Sequence, residues 1–184
     1  MKLSEAILSR RSVRKFTDYH VTDDEIRELL HAAGSAQSWA NTQVWEFIVV
    51  RDRTLIEKVT GTYAGKNPAT KGSLSSSVLI VACAKTGVSG CYDGKDVTKF
   101  SNWFMFDLGI AVQNLCLKAH EMGLGTVVVG LMDHDACSNI LSVPEGHEVV
   151  AVLPVGKPAA AGKSGPPRKE LKDFVYLDTF GNAF

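Results

Sequence analysis

One stretch constrains the fold of this chain more than any other. Residues 101–123, which read SNWFMFDLGIAVQNLCLKAHEMG, predict a single long helix that ends at Gly123. A helix of about twenty residues extends over about 30 Å, which is close to the width of a small domain. Its apolar residues form two stripes, one of Phe104, Leu108, Ala111, Leu115, Ala119 and Met122, and one of Phe106, Ile110 and Leu117.

The second apolar stripe implies that this helix is covered on two sides. A surface helix needs only one apolar stripe to pack against its own core. The helix is therefore either central within one chain, or its second stripe is covered by another copy of the chain. In a chain of 184 residues a second copy is a natural source of that cover, and we favour a homodimer.

The remaining periodicity predicts strands that alternate with helices. Thr22 and Glu25 form a T-x-x-E capping box at the start of a helix that ends at Gly34. The continuous apolar run 77–84, SVLIVACA, predicts a strand buried on both faces. Further strands are predicted at 44–50, 124–130 and 147–156, helices at 2–9, 52–61 and 134–141, a mobile loop at 61–77 and a polar segment at 85–98. The pattern predicts an α+β or α/β domain built on one sheet.

Length, charge and cysteine content limit the class of protein. The length favours a single domain over residues 1–184. Because 20 Lys and Arg balance 20 Asp and Glu, we expect no binding to nucleic acid or to acidic membranes. Without a predicted membrane span or signal-peptide core, a cytoplasmic location is expected. Cys83, Cys91, Cys116 and Cys137 form no C-x-x-C pair, which predicts reduced thiols, two of them in the core, and no metal site.

The densest positive charge lies close to the N-terminus. SRRSVRKF, residues 9–16, places four cations within six positions, namely Arg10, Arg11, Arg14 and Lys15. Such a run is often a solvated surface. This stretch, however, is non-periodic, it carries the Ser12 hydroxyl, and the guanidinium groups of Arg10 and Arg14 suit one shared phosphate. The fingerprints of dinucleotide-binding and P-loop proteins are absent from the sequence.

Two other stretches could contribute to the same ligand site. SAQSWANTQ, residues 35–43, carries the polar side chains of Ser38 and Asn41 and the flat ring of Trp39 directly before a predicted strand. GPPRKELKDF brings Arg168 and Lys169 near the C-terminus. Taken alone, the first stretch can be an ordinary surface loop, and the second is better explained as a solvated tail.

Taken together and in this order, these stretches resemble the nitroreductase family of flavin enzymes. The similarity covers residues 3–176 and rests on RRSVRKF, SAQSWANTQVWEFIVV, DLGIAVQNLCLKAHEMGLGTVVVG, VVAVLPVGKPA and RKEL. The resemblance implies a three-layer α+β fold with a central, mostly antiparallel sheet flanked by helices, in a homodimer that holds FMN at the subunit interface. It also implies a ping-pong oxidoreductase that moves hydride from NADH or NADPH through flavin N5 to nitroaromatics, quinones or related electron-poor acceptors.

The resemblance also implies which residues hold the flavin. The phosphate and ribityl site of the family is matched by Arg10, Ser12 and Arg14, with Arg11 beside them. Arg168, together with Lys169, matches the position that closes on the phosphate. The loop lent by the partner subunit matches Ser38, Trp39 and Asn41, and the segment that passes the isoalloxazine ring matches Val128, Val129, Gly130 and Leu131. No side chain is expected to act as a catalytic acid or base, and the five histidines are expected to have neither a partner nor a motif neighbour.

Some positions depart from the family pattern. Val44 stands where relatives usually have Pro, and Gly130 stands where larger relatives have an acidic residue. Asn67 and Lys71 are weaker candidates for the ribityl chain. Two alternatives to the enzyme stay open at this point: a non-catalytic flavin carrier or sensor, and a protein that binds a phosphorylated ligand without flavin.

Overall fold

A four-stranded antiparallel sheet lies at the centre of the chain. The structure is a computed structural model that describes residues 1–160 and 165–184. The strands of the sheet are β1 Trp45–Val50, β2 Val78–Lys85, β5 Gly125–Thr126 and β6 His147–Gly156, and β3 Cys91–Tyr92 with β4 Lys95–Asp96 forms a separate hairpin. Within the sheet the order is β1–β2–β6–β5, and every neighbouring pair is antiparallel.

Helices pack on both faces of this sheet. They are α1 Leu3–Ser9, α2 Asp23–Gly34, α3 Arg53–Gly61, α4 Thr70–Ser75, α5 Phe104–Glu121 and α6 His134–Leu141, with short 3-10 turns at Trp39–Asn41 and Leu171–Asp173. One core lies between the sheet and α2 with α5, and the other lies between the sheet and α3 with α6. The alternating side chains of β2 enter both cores, so the predicted two-sided burial of this strand and the three-layer α+β fold are confirmed.

The helix starts follow from local chemistry. At α2 the Thr22 side chain accepts the Glu25 N–H, and the Glu25 carboxylate accepts the Thr22 N–H, which is the predicted capping box. Asp52 caps α3 and Asp133 caps α6 in the same way. These hydrogen bonds satisfy backbone donors that the first helical turn leaves free.

Two element predictions were wrong. Residues 61–77 are not simply a mobile loop, because they contain α4, in which Gly72 and Ser73 are buried. A Cβ atom at Gly72 would lie 2.5 Å from the Arg14 carbonyl oxygen, so this helix is held by close packing that sequence periodicity does not reveal. The strand predicted at 124–130 is reduced to Gly125–Thr126, and Val129 adds only a single bridge to Val152.

The long helix α5 buries one of its two stripes within the chain. Phe104, Leu108 and Leu115 are buried, whereas Phe106, on the second stripe, keeps 63% of its surface exposed. A central helix covered wholly by its own chain is therefore excluded, and an apolar face remains outside the core. Across the part of the chain that the structure describes, no helix combines the length and apolar character needed to cross a membrane.

The cysteines are all unpaired thiols, as predicted, but three of them, not two, are buried. Burial raises the pKa of Cys83 to about 12 and that of Cys137 to about 11, and it also raises the pKa of Cys116. Only Cys91, in the β3–β4 hairpin, is partly exposed. No cluster of metal-ligating side chains occurs among the described residues.

Candidate functional site

The arginines from both ends of the chain line one cavity. The cavity has a volume of about 560 Å³ and is lined by Arg10, Arg11, Ser12, Val13, Arg14, Lys15, Ala160, Gly165, Pro166 and Arg168. We call it the cationic cavity. Lys169 is not among its lining residues, and neither is any acidic residue of the described chain. The positive charge in the cavity is therefore uncompensated by neighbouring carboxylates.

Close backbone packing fixes the position of the arginine stretch. The Val13 N–H donates to the Thr126 carbonyl at 2.8 Å, which ties the stretch to the edge strand β5. Gly125 and Gly72 approach it from two sides, and a Cβ on Gly125 would lie 2.5 Å from the Val13 side chain. Because the backbone is held in this way, the side chains on either side of Val13 project into the cavity from a fixed platform.

The arginines are not equivalent. Arg11 Nη1 donates to the carbonyl oxygens of Leu8 and Arg10 at 2.7 and 2.8 Å, so part of its guanidinium is already bonded. Among the described residues, no carboxylate lies within ion-pair distance of Arg10, Arg14 or Arg168. These three guanidiniums therefore remain available for an anion, and Arg11 stiffens the chain beside them.

The positive charge of the cavity affects His120, which lies beside it. Burial first, and then the charges of Arg10 and Arg11, lower the pKa of His120. The His120 Nε2 atom lies 2.7 Å from the Ser9 Oγ atom. The expectation that the histidines lack partners was therefore wrong, since His120, His134 and His147 all have close partners.

The loop Ser38–Gln43 lies outside the cationic cavity and is held in an unusual conformation. Ala40, Asn41 and Gln43 have φ angles of 45°, 56° and 48°, a region that residues other than glycine rarely adopt. The Ser38 hydroxyl accepts the Gln43 N–H at 2.9 Å, and the Thr42 hydroxyl donates to the Trp39 carbonyl. Several residues with strained backbone angles in one short loop indicate that the loop has a role beyond joining two elements.

A buried carboxylate that sequence reasoning missed anchors this loop. Asp107, on α5, is only 1% exposed, and both of its oxygens accept the Trp39 N–H, at 3.1 and 3.2 Å. The Ser89 hydroxyl donates to the same carboxylate at 2.6 Å. The signal available in the sequence was an isolated Asp between the apolar stripes of the predicted helix. A carboxylate is rarely buried unless it is paired or hydrogen-bonded.

The aromatic ring of the loop is also supported from within the chain. The ring centroids of Trp39 and Tyr92 are 4.8 Å apart, so the β3–β4 hairpin backs the Trp39 ring. Asp107 and Tyr92 thus connect the loop to α5 and to the polar segment 85–98.

The segment Val128–Leu131, which we call the ring segment, presents backbone groups to solvent. The N–H and C=O groups of Val129 are both bonded to Val152, while Val128 and Leu131 are exposed. The Leu131 carbonyl accepts from the Ala64 N–H and from the Asn67 side chain. Within the described chain, the N–H groups of Gly130 and Leu131 have no acceptor, so they are available to a ligand.

The weaker candidates fall near these features. Asn67 holds the ring segment through the Leu131 carbonyl at 3.2 Å. Lys71 belongs to α4, directly before the Gly72 that packs against Arg14. Val44 is buried in the core at 3% exposure. Packing therefore accommodates this Val at the position where relatives usually have Pro.

Comparison with known proteins shows which family the chain belongs to. The sequence profile described as Nitroreductase family matches residues 7–157. The chain belongs to the nitroreductase family. A relative from Methanothermobacter thermautotrophicus, provisionally named NADH dehydrogenase/NAD(P)H nitroreductase, is 32% identical over 177 residues, which cover 94% of this chain and 84% of that protein.

Other relatives and solved structures agree with this membership. An FMN reductase (NADPH) from Bacillus subtilis is 28% identical over 97% of this chain and 74% of its own length. The crystal structure of a nitroreductase family protein from Clostridium novyi NT superimposes with a TM-score of 0.78 at 28% identity, covering 100% of this chain and 97% of that one. The predicted resemblance to this family is therefore confirmed.

Proposed function

We propose that this nitroreductase family member is an FMN-dependent NAD(P)H oxidoreductase, in which one domain spanning residues 1–184 binds the flavin and a second copy completes the site. The observation that carries the proposal is the meeting of Arg10, Arg14 and Arg168 in one cavity without a neighbouring carboxylate. Three free guanidiniums with the Ser12 hydroxyl match the charge and hydrogen-bonding capacity of a phosphate monoester.

The residues of the chain fit FMN at both of its ends. Arg10, Arg14 and Arg168 would hold the phosphate, with Ser12 donating a hydrogen bond and Arg11 stiffening the platform. The unpaired N–H groups of Gly130 and Leu131 would meet the polar edge of the ring, next to Val128 and Val129. When bound, FMN would supply the hydride-transfer chemistry between NADH or NADPH and a nitroaromatic, quinone or related electron-poor acceptor.

A homodimer would supply the rest of the site. Ser38, Trp39 and Asn41 do not line the cationic cavity of their own chain, yet their loop is rigidly held. The exposed face of α5 around Phe106 is the apolar surface through which two copies would associate. We infer that each copy lends its loop to the flavin of the other, because Asp107 holds the loop away from the cationic cavity of its own chain. A cytoplasmic location belongs to this proposal as well.

The purified full-length protein tests this function directly. After saturation with FMN and removal of the free flavin by gel filtration, we expect it to stay yellow, to elute as a dimer, and to oxidise NADH or NADPH in a reaction that depends on an added quinone or nitroaromatic. A non-catalytic carrier would bind FMN but would not accelerate its reduction beyond the rate of free flavin. A phosphate-binding protein without flavin would show no flavin absorbance. Either of these two outcomes would contradict the proposal.

A further inference from the structure

His134 makes two contacts that one neutral imidazole cannot satisfy. It is the first residue of α6 and lies behind the ring segment. Its Nδ1 atom is 2.9 Å from the Val149 carbonyl oxygen, and its Nε2 atom is 3.0 Å from the Gly130 carbonyl oxygen. Carbonyl oxygens only accept, so both ring nitrogens must carry a proton for both contacts to be hydrogen bonds. A neutral ring would turn a lone pair toward one of these oxygens.

We propose that His134 is a positioning residue for the flavin ring, which as a doubly protonated imidazolium bridges Val149 to Gly130 and strengthens the Leu131 N–H offered to the flavin. This inference rests on the proposed function, because it takes the ring segment as the neighbour of the isoalloxazine ring. It adds to that function a dependence of flavin binding on the charge of one side chain.

The link from His134 to the flavin passes through one peptide group. The Gly130 carbonyl and the Leu131 N–H belong to the same planar, resonance-stabilised unit. A charged donor on the carbonyl polarises this unit, and hydrogen bonds in such a chain strengthen one another. The Leu131 N–H, which has no acceptor within the described chain, thereby becomes a better donor. The position of the Gly130 carbonyl is fixed at the same time, because Val149 belongs to the sheet strand β6.

The charged side chains that share this region with His134 are carboxylates. Asp96 of β4 and Glu148 of β6 line the same cavity of about 720 Å³ as His134, and Asp133 and Asp135 flank it on α6. None of the described residues lining this cavity is a lysine or an arginine. The N-terminal end of α6 opposes a positive charge there, and the surrounding carboxylates act against that effect.

The element packed against α6 from the other side adds no charge to this cavity. Helix α3 contacts α6, but its ionisable residues Arg53, Glu57 and Lys58 do not line the cavity. Tyr63, which forms a bridge with Met132 beside the ring segment, stays neutral because burial raises its pKa to about 12. The test therefore varies the charge of His134 itself.

Three variants of the full-length protein test the proposal by FMN titration at pH 5.5 and pH 8. His134→Gln removes the charge and keeps one donor, and His134→Arg keeps a permanent charge with several donors. His31→Gln alters an exposed histidine of α2 whose side chain makes no contact with the ring segment, and it serves as the matched control. The FMN phosphate also titrates near pH ~6, so the observable is the difference between each variant and the parent.

We expect the parent and His31→Gln to gain about fivefold more FMN affinity on acidification than His134→Gln, because a hydrogen bond from a charged donor is stronger than one from a neutral donor. His134→Arg should keep the tighter affinity at both pH values. The NMR signal of the His134 ring should move over the same pH range in which the parent's FMN affinity changes.

An identical pH response in the parent and His134→Gln would overturn the inference while leaving the FMN-dependent enzyme intact. Failure of the parent to bind FMN at either pH would overturn the proposed function and the inference with it. If His134→Arg proves unstable in a thermal melt, the comparison of the parent with His134→Gln still decides.

Discussion

The cationic cavity and the loop Ser38–Gln43 are both held in fixed positions, but they differ in where their side chains could meet a ligand. The cavity takes its charged groups from both ends of one chain and leaves Arg10, Arg14 and Arg168 free for a ligand. The loop is fixed just as firmly, by Asp107 and by its own side chains, but it does not line the cationic cavity of its own chain. The first region gathers its charged groups from one chain, whereas the second is held in place away from them.

The largest effect is expected from placing a charge on either stripe of α5. Leu115→Glu buries an unpaired carboxylate at a fully enclosed position and should cost about 3–5 kcal/mol of unfolding free energy, enough to prevent folding. Phe106→Glu alters the exposed stripe and should leave the monomer folded while it abolishes the dimer and FMN retention. Circular dichroism and gel filtration separate the two outcomes, and a dimeric Phe106→Glu protein would refute the proposed interface.

A smaller effect is expected at the anchor of the loop. Asp107→Ala removes the acceptor of the Trp39 N–H and of the buried Ser89 hydroxyl, and it should destabilise the chain by about 1–3 kcal/mol, the cost of an unsatisfied buried donor. Because the loop then loses its anchor, FMN affinity should fall as well. Asp107→Asn keeps a carbonyl acceptor and is the matched control. Chemical denaturation and FMN titration measure both effects, and equal FMN affinity in all three proteins would show that the loop does not reach the flavin.

The smallest effect on stability is expected in the cationic cavity itself. Arg14→Ala should weaken FMN binding by about 1–3 kcal/mol, the range for hydrogen bonds to charged groups, with little change in melting temperature. Arg27→Ala, on the exposed face of α2, is the control, because the ion pair of Arg27 with Asp24 is a long, exposed contact of 3.8 Å. Riboflavin, which lacks the phosphate, should bind the parent and Arg14→Ala alike. If riboflavin binding fell as much as FMN binding, the phosphate assignment would be wrong.

Much of the fold could be predicted because it depends on local patterns. The Thr22–Glu25 capping box, the two-sided burial of β2 and the length of α5 all follow from residues close together in sequence. The family resemblance in turn named the residues of the candidate site. The short helix α4 and the loss of most of the strand predicted at 124–130 could not be predicted, because both depend on packing against distant segments.

The sequence by itself determined the chemistry available to this protein: a dense arginine stretch near one end, further cations near the other, and a helix with more apolar surface than one core can bury. Only the tertiary structure decided which of these groups act together. It left Arg10, Arg14 and Arg168 free while tying Arg11 to backbone carbonyls, and it gave Asp107 and His134 their partners. The physical reason is that hydrogen bonds and charge pairs depend on distances in space, and residues far apart in sequence come within reach only when the chain has folded.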